Sequence, residues 1–212
     1  MNNILTIAGF DPSSGAGITK DLDVFFSLGM HGVSVPTCIV NQNPMGVTDV
    51  YPIPPEQFSQ MLNTVKDGIR LDGIKIGVML DEFHVDVLSD FISSVKDIPV
   101  VLDPIISAKN DTQLLTVNGL RVLIDSVFPK TTVITPNTEE AAIITKDRIN
   151  NIDDMQKAAR AMLDMGINAV VIKGGHLDGE PIDILYDGRE LTKWYKKQIG
   201  RASCRERVFS SV

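Results

Sequence analysis

Four short stretches of this 212-residue chain carry residue types suited to holding a small charged or heteroaromatic ligand. The first runs Ala8-Gly9-Phe10-Asp11-Pro12-Ser13-Ser14-Gly15-Ala16-Gly17, whose glycines allow close backbone approach. The second, Asn41-Gln42-Asn43, sets amides in a row, each with a donor and an acceptor for a ring edge. The third, Pro136-Asn137-Thr138-Glu139-Glu140, places Asn and Glu at capping-box spacing. A helix starting there favours phosphate and would let Glu140 orient water around Mg²⁺. The fourth, Lys173-Gly174-Gly175-His176, puts a cation and free N–H groups where a polyphosphate could sit. A plainer reading stands beside each: a tight strand-to-helix turn, turn chemistry before Pro44 and Gly46, an ordinary helix cap, and a β-turn with an incidental lysine. His176 by itself reads as structural or exposed. No Cys, His and carboxylate grouping has zinc spacing.

Two standard nucleotide loops fail on the first stretch. A P-loop begun at Gly9 needs its second glycine at position 14, which is Ser14. A dinucleotide fingerprint begun at Gly15 and Gly17 needs a third glycine where Lys20 stands. A nicotinamide-dependent oxidoreductase is thereby disfavoured.

The elements that must position these stretches alternate between short apolar runs and longer helical patterns. Strands are expected at 4–8, 33–40, 47–53, 73–79, 99–102, 132–135 and 169–173. Helices are expected at 15–28, 55–65, 81–95, 116–127, 137–145 and 152–165. The 33–40 and 47–53 strands form a hairpin-like excursion about the 43–46 turn. Segments 181–186 and 190–195 form an antiparallel pair about Asp187-Gly188, a favoured hairpin turn. This alternation predicts an α/β fold with a mostly parallel central sheet and helices on both faces. In such sheets ligands gather at the carboxyl ends of the strands, where each of the four stretches falls.

Bulk composition narrows the function classes. Hydrophobic residues are 43% and charged residues 22%, an ordinary globular balance. A net charge of −7 speaks against a nucleic-acid partner, which needs concentrated Lys and Arg. Cys38 and Cys204 cannot make a disulfide framework, so a reducing compartment is expected. No basic leader precedes the first strand and no apolar run reaches membrane-spanning length; a cytoplasmic protein with no membrane partner is expected.

Taken together the segments resemble the hydroxymethylpyrimidine/phosphomethylpyrimidine kinases, in the ribokinase-like superfamily with the pyridoxal kinases. The resemblance rests on Leu5-Thr6-Ile7-Ala8-Gly9 through Asp11-Pro12 and Gly15-Ala16-Gly17-Ile18 to Asp21, then Gln42-Asn43 with Gly46-Val47. It continues in order through Lys75-Ile76-Gly77, Leu102-Asp103-Pro104 with Ala108-Lys109, Ile134-Thr135-Pro136-Asn137 with Glu140-Ala141, and Lys173-Gly174-Gly175-His176. It implies a ribokinase-like fold and MgATP-dependent phosphorylation of 4-amino-5-hydroxymethyl-2-methylpyrimidine, then of its monophosphate. By position, Gly9, Asp21, Gln42 and Val78 would line the pyrimidine site. Asn137, Lys173, Gly174 and Gly175 would serve the ATP phosphates, Glu140 the Mg²⁺, and Asp103 would sit near the reacting centre. A homodimer is left open.

The sequence departs from that pattern in places. Phe10 replaces a usual small serine, Val78 a usual methionine, Ile105-Ile106 the usual Val-Met, and Asn110-Asp111 the usual Ser-Gly. The family's His-Gly-Thr-Gly-Cys segment, an anion hole with a catalytic base, is absent. Residues 1–198 are therefore expected to be a partial kinase domain, incomplete at its C-terminus. Residues 199–212 read as a foreign tail, like translated adapter DNA. Cys204 is not taken for the family's cysteine, and impaired activity is expected. Pyridoxal kinase is the rival enzyme; a non-catalytic pyrimidine or nucleotide binder is the rival of another class.

Overall fold

The computed structural model describes residues 1–43, 46–95, 97–108, 112–175 and 182–195. In chain order the elements are β1 (Asn3–Phe10), α1 (Gly17–Ser27), β2 (His31–Asn43), β3 (Gly46–Pro52), α2 (Pro55–Gly68), β4 (Gly73–Ile76), α3 (Glu82–Ser94) and β5 (Val100–Leu102). There follow α4 (Val117–Val122), β6 (Val133–Ile134), α5 (Thr138–Thr145), α6 (Ile152–Asp164), β7 (Ala169–Gly174), β8 (Ile182–Tyr186) and β9 (Leu191–Tyr195). The strands make one sheet in the order β3-β2-β1-β4-β5-β6-β7-β8-β9. The six from β2 to β7 in that order run parallel. Antiparallel β3 flanks one side and the β8–β9 hairpin the other.

Helix starts follow local side-chain chemistry. Asp81 accepts from the His84 N–H at 3.0 Å, Thr116 from Gly119 N–H at 2.9 Å, and Asn151 from Asp154 N–H at 2.9 Å, each satisfying a donor the helix leaves open. The buried sheet row Ile76–Leu102–Ile134–Val170 is in register across four strands, and every member is 0% exposed. The offset row Lys75–Val101–Val133–Ala169 is only partly buried. Connection handedness explains the contrast. From β1 the chain steps one way to β2 through α1, then the other way to β4, and on through β5, β6 and β7. Right-handed crossovers then put α1 on one face and α2 to α6 on the other. Among the described residues no helix is long and apolar enough to cross a membrane.

The hairpin excursion and the 187–188 turn are both present, with Gly188 at φ 86°. Several expected elements come out shorter, three of them for a visible local reason. The strand expected at 73–79 ends at Ile76; Gly77 N–H still donates to Ile7 C=O, but Leu80 takes φ 62° and turns the chain. The helix expected at 116–127 is α-helical only to Val122, then widens into a π turn over Leu123–Val127 and tightens over Phe128–Lys130, where Pro129 lacks an N–H. The first helix begins at Gly17 rather than at 15. Gly17 has φ 61°, and a Cβ there would lie 2.1 Å from the Gly9 carbonyl oxygen, so only glycine lets the helix start this close to β1.

Candidate active site

The reversal of direction between β2 and β4 makes the carboxyl end of β1 a topological switch point, where an open α/β sheet leaves a crevice. The loop leaving β1 there is organised by Asp11, which is 2% exposed. Its Oδ1 accepts from Ser13 N–H at 2.8 Å and Ser13 Oγ at 2.7 Å. Its Oδ2 accepts from Gly15 N–H at 3.2 Å, Ala16 N–H at 2.9 Å and Gln42 Nε2 at 3.0 Å. A carboxylate only accepts, so Gln42 must give it an N–H, which turns Oε1 the other way. One buried side chain thus fixes both the β1–α1 loop and the amide at the end of β2.

Asp21 sits in the second turn of α1, over β1 and β4. Thr6 Oγ1 donates to its Oδ2 at 2.6 Å and Lys75 Nζ to the same oxygen at 2.8 Å. Gly9 lies against β2: a Cβ on it would be 3.0 Å from Cys38 Sγ and 3.2 Å from Val40. Burial pushes the Cys38 thiol up to about 11, so it serves as an apolar wall and not as a nucleophile. Val78 packs on the small cluster of Cys38, Val40 and Leu80, and its carbonyl accepts from Thr37 Oγ1 at 2.8 Å. Phe10, on the strand face opposite Gly9, is 37% exposed and lies in register with Ile39, itself opposite Tyr51.

A second group gathers after β5, β6 and β7. Asp103 Oδ1 takes Lys173 Nζ at 2.8 Å and Thr135 Oγ1 at 3.2 Å. Asn137 caps α5 by accepting from Glu140 N–H at 2.8 Å, while Glu140 Oε2 accepts from Asn137 N–H at 2.8 Å, a complete capping box. Asn137 is bridged to Lys173 across the sheet. Glu140 is 8% exposed, and burial raises its carboxyl to about 7, although the Asn137 N–H and the Lys173 ammonium oppose the rise. Gly174 departs from the expectation of a free N–H. It donates to Asp183 Oδ1 at 3.1 Å, and a Cβ on it would lie 2.1 Å from Ile182 O. It holds β7 against β8 and offers no amide to a phosphate in this arrangement. Gly175 follows as the first turn residue beyond β7. His176, Lys109 and residues 199–212, including Cys204, lie outside the described residues.

Both groups stand on one edge of the sheet, since their strands are parallel. From β1 to β5 is two strand spacings, about 10 Å. That is the span of a small ring reaching toward a polyphosphate.

Residues 11–204 match the family model described as phosphomethylpyrimidine kinase. The chain belongs to the phosphomethylpyrimidine kinase family. The hydroxymethylpyrimidine/phosphomethylpyrimidine kinase of Aquifex aeolicus is 35% identical over 196 residues, covering 92% of this chain and 77% of the relative. The Escherichia coli protein of the same name is 39% identical over 179 residues, covering 84% and 67%. Among solved structures, the phosphomethylpyrimidine kinase of Clostridium difficile superposes with a TM-score of 0.85 at 34% identity, covering 92% of this chain and 84% of that one. The Staphylococcus aureus pyridoxal kinase in complex with AMP-PCP and pyridoxal gives 0.82 at 32%, covering 92% and 71%. The fold is ribokinase-like.

For this phosphomethylpyrimidine kinase family member, the metal question is one of donor chemistry. Among the described residues no group of three or more His, Cys, Asp or Glu could hold an ion unaided. Mg²⁺ is commonly held by one or two carboxylates plus substrate phosphates and water, and the oxygens of Glu140 and Asp103 suit that mode. Thr6, Asp11, Lys75 and Thr135 also join these networks, though the sequence pattern alone assigns them no role. Asp11 had a usable signal: a carboxylate before Ser13, Gly15 and Ala16 is Asx-turn chemistry. Lys75 had none, since its partner Asp21 is 54 residues away.

Proposed function

We propose that this chain transfers the γ-phosphoryl group of ATP to the hydroxymethyl oxygen of 4-amino-5-hydroxymethyl-2-methylpyrimidine, and then phosphorylates the monophosphate. The observation that carries the reading is the two-part rim. Asp21 and Gln42 stand at the switch point, and Asp103, Lys173 and the N-terminus of α5 stand two to four strands along the same edge. The relatives named for this activity support it.

The roles follow from charge and position. Asp21 accepts from a donor on the pyrimidine, and Gly9, Val78 and Gln42 bound the ring. Lys173 and the α5 N-terminus stabilise negative charge on the phosphates. Mg²⁺, where bound, would neutralise charge on the triphosphate beside Glu140. In the transfer the substrate oxygen bonds to the γ-phosphorus, the bond from that phosphorus to the β–γ bridging oxygen breaks so that ADP leaves with the bridging oxygen, and the hydroxyl proton passes to solvent water. Asp103 lies near that centre. Such a reaction needs alignment and charge neutralisation above all.

No His-Gly-Thr-Gly-Cys segment occurs in the 212 residues. A polypeptide of these 212 residues alone is expected to bind pyrimidine and nucleotide, and to transfer faster when such a segment is joined to it. The test pairs ligand-induced thermal stabilisation with ADP release, using the pyrimidine, its monophosphate and pyridoxal, with and without the joined segment. Pyrimidine binding plus restored transfer is the expected result. Preference for pyridoxal would move the assignment to the second reading, which the pyridoxal kinase neighbours favour. Binding of neither ring compound would end both.

A further inference from the structure

The segment Lys75-Ile76-Gly77 takes no part in the rim just described, yet its lysine is built into the site. We propose that Lys75, together with Thr6, is a positioning residue that sets substrate choice by holding Asp21 with one carboxylate oxygen turned out for an amino group. The inference rests on the pyrimidine reading and extends it to residues that touch no substrate.

The geometry is one-sided. Thr6 and Lys75 are register partners on adjacent parallel strands, so their side chains leave the sheet together on the α1 face. Both donate to the same oxygen, Oδ2, at 2.6 and 2.8 Å. Oδ1 has no hydrogen-bond partner among the described residues. Thr6 is fully buried, and the Lys75 and Asp21 side chains are 24% and 16% exposed, so solvent competes weakly for the pair. Position 77, on the same strand face, is glycine: a Cβ there would meet the Lys75 Nζ at 3.5 Å, an ordinary contact, and the Ala8 Cβ at 3.0 Å, a tight one, so the ammonium lies directly beside the bare backbone of that position.

A carboxylate pinned through one oxygen cannot rotate to suit a ligand. Its other oxygen accepts and never donates, so it rewards a ring bearing N–H₂ over one bearing a bare acceptor or nothing. The 4-amino group of the pyrimidine is such a donor. Released from Lys75 or Thr6, Asp21 can turn, and the preference for the amino group goes while the apolar walls from Gly9, Val40 and Val78 remain.

Calorimetry on the 212-residue chain tests this without needing turnover. The probes are 4-amino-5-hydroxymethyl-2-methylpyrimidine and the same compound lacking its 4-amino group. For Lys75→Met, affinity for the amino compound should fall about 10- to 100-fold, the loss typical of a charge-assisted contact, while the analogue changes less than about 3-fold. Thr6→Val should show the same pattern more weakly, and carries the test should Lys75→Met melt too low for measurement. Equal loss for both compounds, or no loss for either, overturns the proposal while the pyrimidine reading stands. Binding of neither compound by the unsubstituted chain overturns the pyrimidine reading and this inference with it.

Discussion

Glu140 should make the ligand-free chain less stable as pH rises, and Glu140→Gln should remove that dependence. An ordinary glutamate titrates at 4.5, and burial lifts this one to about 7. Burial dominates; the Asn137 N–H and the Lys173 ammonium favour the carboxylate, while Asp103 and Glu139 oppose it. A carboxyl whose folded value lies above its unfolded value favours the native state when neutral. That contribution is whole below about 4.5 and is lost as pH rises through about 7. At about 1.4 kcal/mol per pH unit, the interval comes to about 3 kcal/mol.

Glutamine keeps the capping box, because its Oε1 can still accept from Asn137 N–H, but it cannot ionise. Urea unfolding of both proteins at pH 5 and pH 8 reads the effect. Glu140→Gln should gain stability over the parent by about 1 kcal/mol at pH 5 and about 3 kcal/mol at pH 8. The diagnostic quantity is the difference between the two pH values, since it cancels any fixed effect of the substitution. A gain independent of pH, or a loss confined to pH 8, would refute the reasoning. Transfer activity, read with the joined segment in place, should meanwhile fall if Glu140 serves the metal side of the triphosphate as proposed.

Removing the Asp11 hub by Asp11→Ala should cost about 1 to 2 kcal/mol, because the 2% exposed carboxylate that orders the loop is lost while the donors it frees can turn to water, and should abolish thermal stabilisation by the pyrimidine. Equal ligand shifts in parent and variant would contradict the loop's role. Gly17→Ala should destabilise by about 2 kcal/mol or more, because the added Cβ meets the Gly9 carbonyl and the backbone sits at φ 61°; denaturant unfolding checks it. His84 is 1% exposed, with Nδ1 2.7 Å from Asp81 Oδ1 and Nε2 2.8 Å from Ile53 O, and it joins the start of α3 to the chain entering α2. His84→Ala should cost about 3 kcal/mol and lower the melting temperature while leaving pyrimidine affinity unchanged in the protein that remains folded.

The elements of the rim were legible in the sequence because each follows a strand and ends in residues with few uses inside a regular element. Asn137 and Glu140 announced a helix start by spacing alone, and the capping box forms as that spacing requires. Partnerships were not legible. Asp103 and Lys173 are 70 residues apart, Asp21 and Lys75 are 54 apart, and nothing local says which cation meets which carboxylate. Gly174 shows the opposite difficulty: a glycine beside a lysine suggests a phosphate, yet the approach of β8 is what requires it. The early end of β4 was hidden because Val78 and Met79 read as strand residues, while the turn is imposed by Thr116 N–H donating to the Leu80 carbonyl from a later segment.

Among the described residues the two faces of the sheet are covered unequally, and this bears on how the two ends of the site are held. On the face of α2 to α6, the row from Ile76 to Val170 is sealed, so the strands that end at Asp103, Asn137 and Lys173 are fixed from below. On the other face only α1 lies among the described helices, over β1 and β2, and Val101, Val133 and Val171 stay partly exposed. The switch-point end, with Asp11, Asp21 and Gln42, is therefore braced by hydrogen bonds from its own loop and from Lys75, and the end with Asp103, Asn137 and Lys173 by burial of its strands. Perturbations should separate accordingly. Substitutions at Asp11 or Lys75 should act on recognition of the ring, and substitutions in the Ile76 to Val170 row should act on global stability before they alter binding. A Leu102→Ala variant that weakened pyrimidine binding without lowering the unfolding midpoint would show that the two ends are not held independently.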